Sequence, residues 1–126
     1  MGLDNGIFSQ TSQGHLGEPG CLRKNYVLRQ WMATHLSDFQ DNGSTPLTAH
    51  DVNMAIRSMN EFIEKSHHGN TPLVSTPDCW YKQYGVDTDA GSPESLRYQA
   101  EQALQLLEQV RTGISTGIRY EYWESY

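Results

Sequence analysis

The stretch that most constrains this fold is the last nine residues, Ile118-Arg119-Tyr120-Glu121-Tyr122-Trp123-Glu124-Ser125-Tyr126. Four of them are aromatic, β-branched Ile118 leads in, and Gly113 and Gly117 stand just upstream. Aromatic and β-branched residues suit a half-buried pleated surface, so this stretch predicts a strand entered from a turn. A second extended run, Gly2-Leu3-Asp4-Asn5-Gly6-Ile7-Phe8, lies at the other end of the sequence. Two strands alone cannot bury a face. The expectation is therefore that the terminal strands pair and the middle of the chain packs on them.

That middle carries helical patterning. From Leu22 to about Asp38, apolar residues and His35 recur at spacings of three and four through Leu28, Trp31, Met32, His35 and Phe39, which predicts a first helix. Thr48-Ala49-His50-Asp51 reads as a capping box, Thr48 accepting from the backbone of Asp51 while Asp51 reaches back. The second helix follows to about Ser66, with Val52, Ala55, Ile56, Met59, Phe62 and Ile63 along one stripe. Ser92 as N-cap, Pro93 at the first helical position and Glu94 in the first turn start a third helix. Its stripe is Leu96, Ala100, Ala103, Leu104, Leu107 and Val110, ending near Gly113. Ser9 to Gly20 has loop composition, and Asn70 to Gly91 reads as a long irregular connection bounded early by Pro72 and Pro77. The expected architecture is α+β, three helices packed on a small sheet formed by the N-terminal and C-terminal strands.

Size and charge bound the function. A chain of 126 residues is expected to form one domain, 1–126. With 37% apolar and 19% charged residues, it reads as a folded globule. A net charge of −6 disfavours general binding to a nucleic acid backbone, which needs a basic field. No window approaches the roughly 18 apolar residues of a membrane span, and the N-terminus lacks the pattern of a secretory leader, so the expected compartment is the cytoplasm. Cys21 and Cys79 are then expected as reduced thiols. Met1-Gly2 is not a myristoylation signal, because Gly6 stands where that motif wants Ser or Thr.

Four segments, Met1 to Asp4, Leu22-Arg23-Lys24-Asn25-Tyr26 to Trp31, Thr76-Pro77 to Tyr84-Gly85, and Tyr120 to Tyr126, occur together in this order. In this the chain resembles a family of small uncharacterised proteins of bacteriophages and mobile elements that begin Met-Gly-Leu-Asp. It departs from them at Asn5-Gly6, where the family usually has Met-Tyr. The resemblance spans the whole length and implies a viral accessory protein directed at host machinery, in host takeover or anti-defence, as anti-CRISPR proteins are.

The five His and two Cys show no close ligand spacing, so neither a metal nor a cofactor is expected. His35, on the apolar stripe beside Trp31, reads as a hydrogen-bonded core histidine. No nucleophile elbow, Walker loop or dinucleotide fingerprint is present, and His50 with Asp51 is a weak hydrolase candidate, so no catalytic residue is assigned. Two surfaces remain. Trp80, Tyr81 and Tyr84 from the irregular segment, with Trp123, form a candidate protein-binding surface, since large aromatics dominate hot spots. Alternation leaves Trp123 facing away from Tyr120 and Tyr122, on a strand expected at an exposed edge or under the first helix. The other candidate is Arg23 and Lys24, expected in the first turn of the first helix, where the macrodipole prefers acids. They either neutralise Asp4, Glu18 or the C-terminal carboxylate, or hold a phosphorylated nucleotide-like ligand with the helix amides, Tyr26 or Trp80 offering a stacking face. The first reading is a non-catalytic protein that inhibits or redirects a host protein; the alternative is a sponge for a phosphorylated ligand. Neither the target nor the oligomeric state is legible in the sequence.

Overall fold

The computed structural model describes residues 3–10, 16–23, 25–66 and 93–125. Their order is β1 (Asp4–Gln10), β2 (Leu16–Arg23), α1 (Tyr26–His35), β3 (Ser44–Leu47), α2 (Ala49–Ser66), α3 (Pro93–Ser115) and β4 (Tyr120–Ser125). This is an α+β fold. The strands form one sheet in the order β2-β1-β4-β3, every neighbour antiparallel.

The N-terminal and C-terminal strands pair as their patterns predict, Asp4 opposite Ser125 through Ser9 opposite Tyr120. They form the centre of the sheet, because two further strands flank them. β2 takes in Leu16 to Gly20, which composition reads as loop, and Leu22 and Arg23, which periodicity reads as the start of the first helix. Its Gly and Pro content misleads because cross-strand partners on β1 decide the conformation, overriding local preference. Pro19 lies opposite Phe8 on an edge strand, where one side needs no backbone donor. Pro46 does the same on β3 at the other edge. A proline on each edge strand blunts pairing with further strands.

Strand alternation sorts the residues onto two faces. Ile7 of β1, Tyr120 and Tyr122 of β4 and Leu47 of β3 turn inward, with Leu3 just before β1. They share one apolar cluster with Val27, Leu28, Trp31 and Met32 of α1, Val52, Ala55, Met59 and Phe62 of α2, and Leu96, Ala100, Ala103, Leu107 and Val110 of α3. The stripes of α2 and α3 fall where periodicity puts them, with Leu106 buried as well, whereas α1 ends at His35, which is exposed, and Phe39 lies beyond it.

The boundaries carry the details that matter below. α2 opens with the expected capping box: the Asp51 N–H donates to Thr48 Oγ1 at 3.1 Å and the Thr48 N–H to Asp51 Oδ2 at 3.0 Å. α3 runs past Gly113 to Ser115 and closes by donation from the Gly117 N–H to the Ile114 carbonyl and from the Ile118 N–H to the Gly113 carbonyl. That is a Schellman arrangement, with Gly117 in the left-handed region at φ 93°. Gly113 lies inside the helix because a Cβ there would collide with the ring of Tyr120. α1 begins at Tyr26, four residues later than its apolar pattern suggests, with Asn25 as N-cap.

Candidate functional site

The start of α1 is assembled from side chains distant in sequence. Asn25 Oδ1 accepts from the Leu28 N–H at 2.9 Å, a local cap. Gln99 of α3 supplies the second acceptor, its Oε1 taking the N–H groups of Tyr26 at 2.8 Å and Val27 at 3.3 Å. The Gln99 amide is held in turn by donation to Ser95 Oγ, and Asn25 Nδ2 donates to the Gln99 carbonyl at 2.8 Å. Asn5 on β1 completes the junction, accepting from the Asn25 N–H and donating to the Asn25 carbonyl at 2.9 Å. Asn5 and Asn25 are fully buried and Gln99 nearly so. Satisfaction of their polar groups is what makes that burial tolerable.

From Asn5 the network continues into β4. Asn5 Nδ2 donates to the Tyr122 hydroxyl at 3.1 Å, which donates to Glu124 Oε1 at 3.0 Å. Glu124, 1% exposed, also accepts from the Asn42 N–H at 2.9 Å and meets Arg29 Nε of α1 at 3.2 Å. Arg29 extends the chain to Asp41 Oδ1 at 2.9 Å and stands 4.9 Å from the ring centre of Phe39, which stacks on Tyr122. Burial raises the Tyr122 phenol well above its usual range, and the nearby Glu124 charge adds to the rise. Burial likewise raises the Glu124 carboxyl, against the Asn42 N–H, the Arg29 guanidinium and the Tyr122 hydroxyl, which all favour its charged form. Asn5, Tyr122 and Glu124 are buried and bonded in series, and Asp41 ends the chain at the surface. The network ties β4 to β1 through Asn5 and to α1 through Arg29.

The sheet's outer face is different. Trp123 and Phe8 project there, both half-buried, with ring centres 6.0 Å apart and planes at 76°. This edge-to-face geometry is the favoured one for an aromatic pair. Gly6 and Ser44 lie opposite Trp123 on the two neighbouring strands, so only small residues flank the indole in register. Glu121, between Phe8 and Pro46 in register, adds a carboxylate.

The candidate residues fall as follows. Trp123 is on the outer face, but on a central strand: β3 covers the side expected to be an open edge, so β4 cannot add a partner's strand, and its indole does not pack under α1. Trp80, Tyr81, Tyr84 and Lys24 lie outside the described residues. Arg23 is not in the first turn of α1 but ends β2, opposite Asp4, so the expected conflict with the macrodipole does not arise there. Tyr26 is 1% exposed and presents no stacking face. The α1 amides expected to bind phosphate already donate to Gln99 and Asn25. His35 is an exposed residue stacked on Trp31 at 4.6 Å, not a core histidine. Among the described residues no group of three His, Cys, Asp or Glu side chains is placed to hold a metal ion, and no helix is long and apolar enough to cross a membrane. Phe8 was missed as Trp123's partner, although its phase against Asn5 and Ile7 carries the signal. Gln99 carries none, since nothing local marks a helical glutamine as another helix's cap.

Comparison with family models, curated proteins and solved structures finds no match to this chain.

Proposed function

We propose that the protein acts non-catalytically, in the cytoplasm of a host cell, by binding a host protein through the outer face of its sheet and inhibiting or redirecting it. The observation that carries this reading is the Trp123–Phe8 pair, two large aromatics on the sheet face opposite the one that shares the helices' core. Rigid aromatic side chains bring contact area at low entropic cost and recur at binding hot spots. The network behind them holds β4, and therefore the indole, in place. The resemblance to phage accessory proteins supports a host partner, in anti-defence or takeover.

The test is a capture experiment with host lysate, the retained protein being identified and then purified for titration. Trp123→Ala is expected to weaken binding roughly thirtyfold, the equivalent of about 2 kcal/mol at a hot spot. Arg23→Gln should bind as wild type. Circular dichroism first establishes that each variant is folded. Full retention by Trp123→Ala overturns the reading. So does a melting temperature that rises with added nucleotide in wild type but not in Arg23→Gln, which favours the phosphorylated-ligand alternative.

A further inference from the structure

A second feature lies in the helical layer. Where α2 begins beside the end of α3, Ala49, Val52 and Asn53 of one helix and Arg111, Ile114 and Ser115 of the other line a hollow of about 230 Å³. On each helix these are positions i, i+3 and i+4, so two single stripes face each other. Val52 is 1% exposed and Ile114 half-buried, which gives the hollow an apolar wall. Arg111 and Asn53 are exposed residues, and among the described residues neither has an ion-pair or side-chain hydrogen-bond partner. Ser115 Oγ already donates to the Thr112 carbonyl. Among the described residues, the guanidinium of Arg111 and the amide of Asn53 are the donors that face the hollow without a partner.

We propose that this hollow binds a small carboxylate carrying a short apolar body. A guanidinium presents paired N–H groups whose spacing matches a carboxylate's two oxygens, and such charge-assisted pairs are the stronger hydrogen bonds. Among the described residues no acidic side chain lines the hollow, and the Arg111 charge disfavours a cationic ligand. The volume is below the 300–1,000 Å³ usual for drug-sized ligands, which sets the occupant at the size of a benzoate or a short branched fatty acid. An apolar body against Val52 and Ile114 with the carboxylate turned to Arg111 and Asn53 uses both halves of the lining. This site is separate from the sheet's outer face and does not depend on the protein-binding reading.

The experiment is a titration of the full chain, isotopically labelled, with benzoate, followed by nuclear magnetic resonance. Saturable shifts centred on the Val52 methyls, the Ile114 methyls and the Arg111 side chain are expected. Benzamide, of nearly the same shape without the charge, should bind about tenfold more weakly or worse, a difference of about 1.4 kcal/mol. Arg111→Gln should lose benzoate by a similar factor, and Ala49→Leu, which fills the mouth, should abolish the shifts. Both positions are exposed, so both variants are expected to fold. Equal binding of benzoate and benzamide, unchanged affinity in Arg111→Gln, shifts centred elsewhere, or inorganic phosphate giving the same response as benzoate would each overturn the proposal.

Discussion

The starts of α1 and α2 solve the same problem in opposite ways. Each helix begins with backbone N–H groups that have no partner within the helix. At α2 the solution is local: Thr48 and Asp51, three residues apart, cap each other on the surface. At α1 only Asn25 is local. The other acceptor is Gln99, 73 residues from the Tyr26 N–H that it accepts, and Asn5 from β1 locks the cap residue itself. One cap is a device of a single segment. The other is a joint where α1, α3 and the N-terminal strand are tied together, and it exists only once the fold does. The difference also bears on function, because a helix start already filled by Gln99 and Asn25 has no free amides for a phosphate. An exposed surface with unengaged side chains is the better place to look for a ligand.

The comparison predicts unequal costs. Gln99→Leu keeps the bulk of the side chain but leaves the buried Tyr26 and Val27 N–H groups without their acceptor. Each abandoned buried donor costs about 1–3 kcal/mol, so a loss of roughly 3 kcal/mol is expected, read from urea unfolding. Combined with Asn5→Ala the effect should be non-additive, with a coupling of about 1 kcal/mol or more, since the Asn5 side chain holds Asn25 and the Gln99 side chain holds the next two amides of the same helix start. Additive losses, or a Gln99→Leu protein as stable as wild type, would show that the joint is incidental to the fold.

The same contrast explains what the sequence discloses. The α2 cap is legible because both partners sit within four residues, and the start of α3 is legible because Pro93, its first residue, is a local start signal. Pairing of β1 with β4 is legible from alternation, since Ile7 and Tyr122 must share the buried face. The extent of the sheet is not. β2 contains Gly17, Pro19 and Gly20, and β3 is only Ser44–Leu47, so both depend on partners for their conformation. Missing β3 is what makes β4 look like an edge. The onset of α1 is misread for a related reason: Leu22 fits the helical stripe, but it stands opposite Asn5 in a strand, and only Asn25 marks the boundary. Trp123 is found from alternation alone. Its setting depends on neighbours that alternation does not reveal.

The second expected effect concerns Glu124, where the distant network meets β4. Burial is the largest influence on its carboxyl and raises its proton affinity in the folded state. In the unfolded chain the group has an ordinary value near about 4.3. The folded protein therefore holds the proton more tightly. The stability this contributes is fully present below the ordinary Glu value and is lost as pH rises through the raised folded value. Glu124→Gln has no such proton. Across that window the stability of wild type should fall relative to the variant, whatever the offset between them from the changed contact with Arg29. Unfolding curves at closely spaced pH values measure the difference directly. A wild-type curve that rises relative to Glu124→Gln would mean that Arg29 at 3.2 Å outweighs burial.

The smallest effect belongs to the local cap. Thr48→Ala removes the acceptor for the Asp51 N–H, but Thr48 and Asp51 are on the surface, and water replaces the lost partner. A cap of this kind is worth about 1 kcal/mol, and the loss should fall near that figure. Because the capping box shares no partner with the α1 joint, Thr48→Ala and Gln99→Leu together should cost the sum of their separate effects to within about 0.5 kcal/mol. The helices should also differ under native-state hydrogen exchange. Thr48→Ala should speed exchange in the first turn of α2 alone, since fraying there opens few contacts. Gln99→Leu should speed exchange across α1, α3 and β1 together, because its loss loosens a joint common to all three. If Thr48→Ala loosens the sheet as well, or Gln99→Leu acts only on the first turn of α1, the distinction between a local cap and a tertiary one does not hold in this fold.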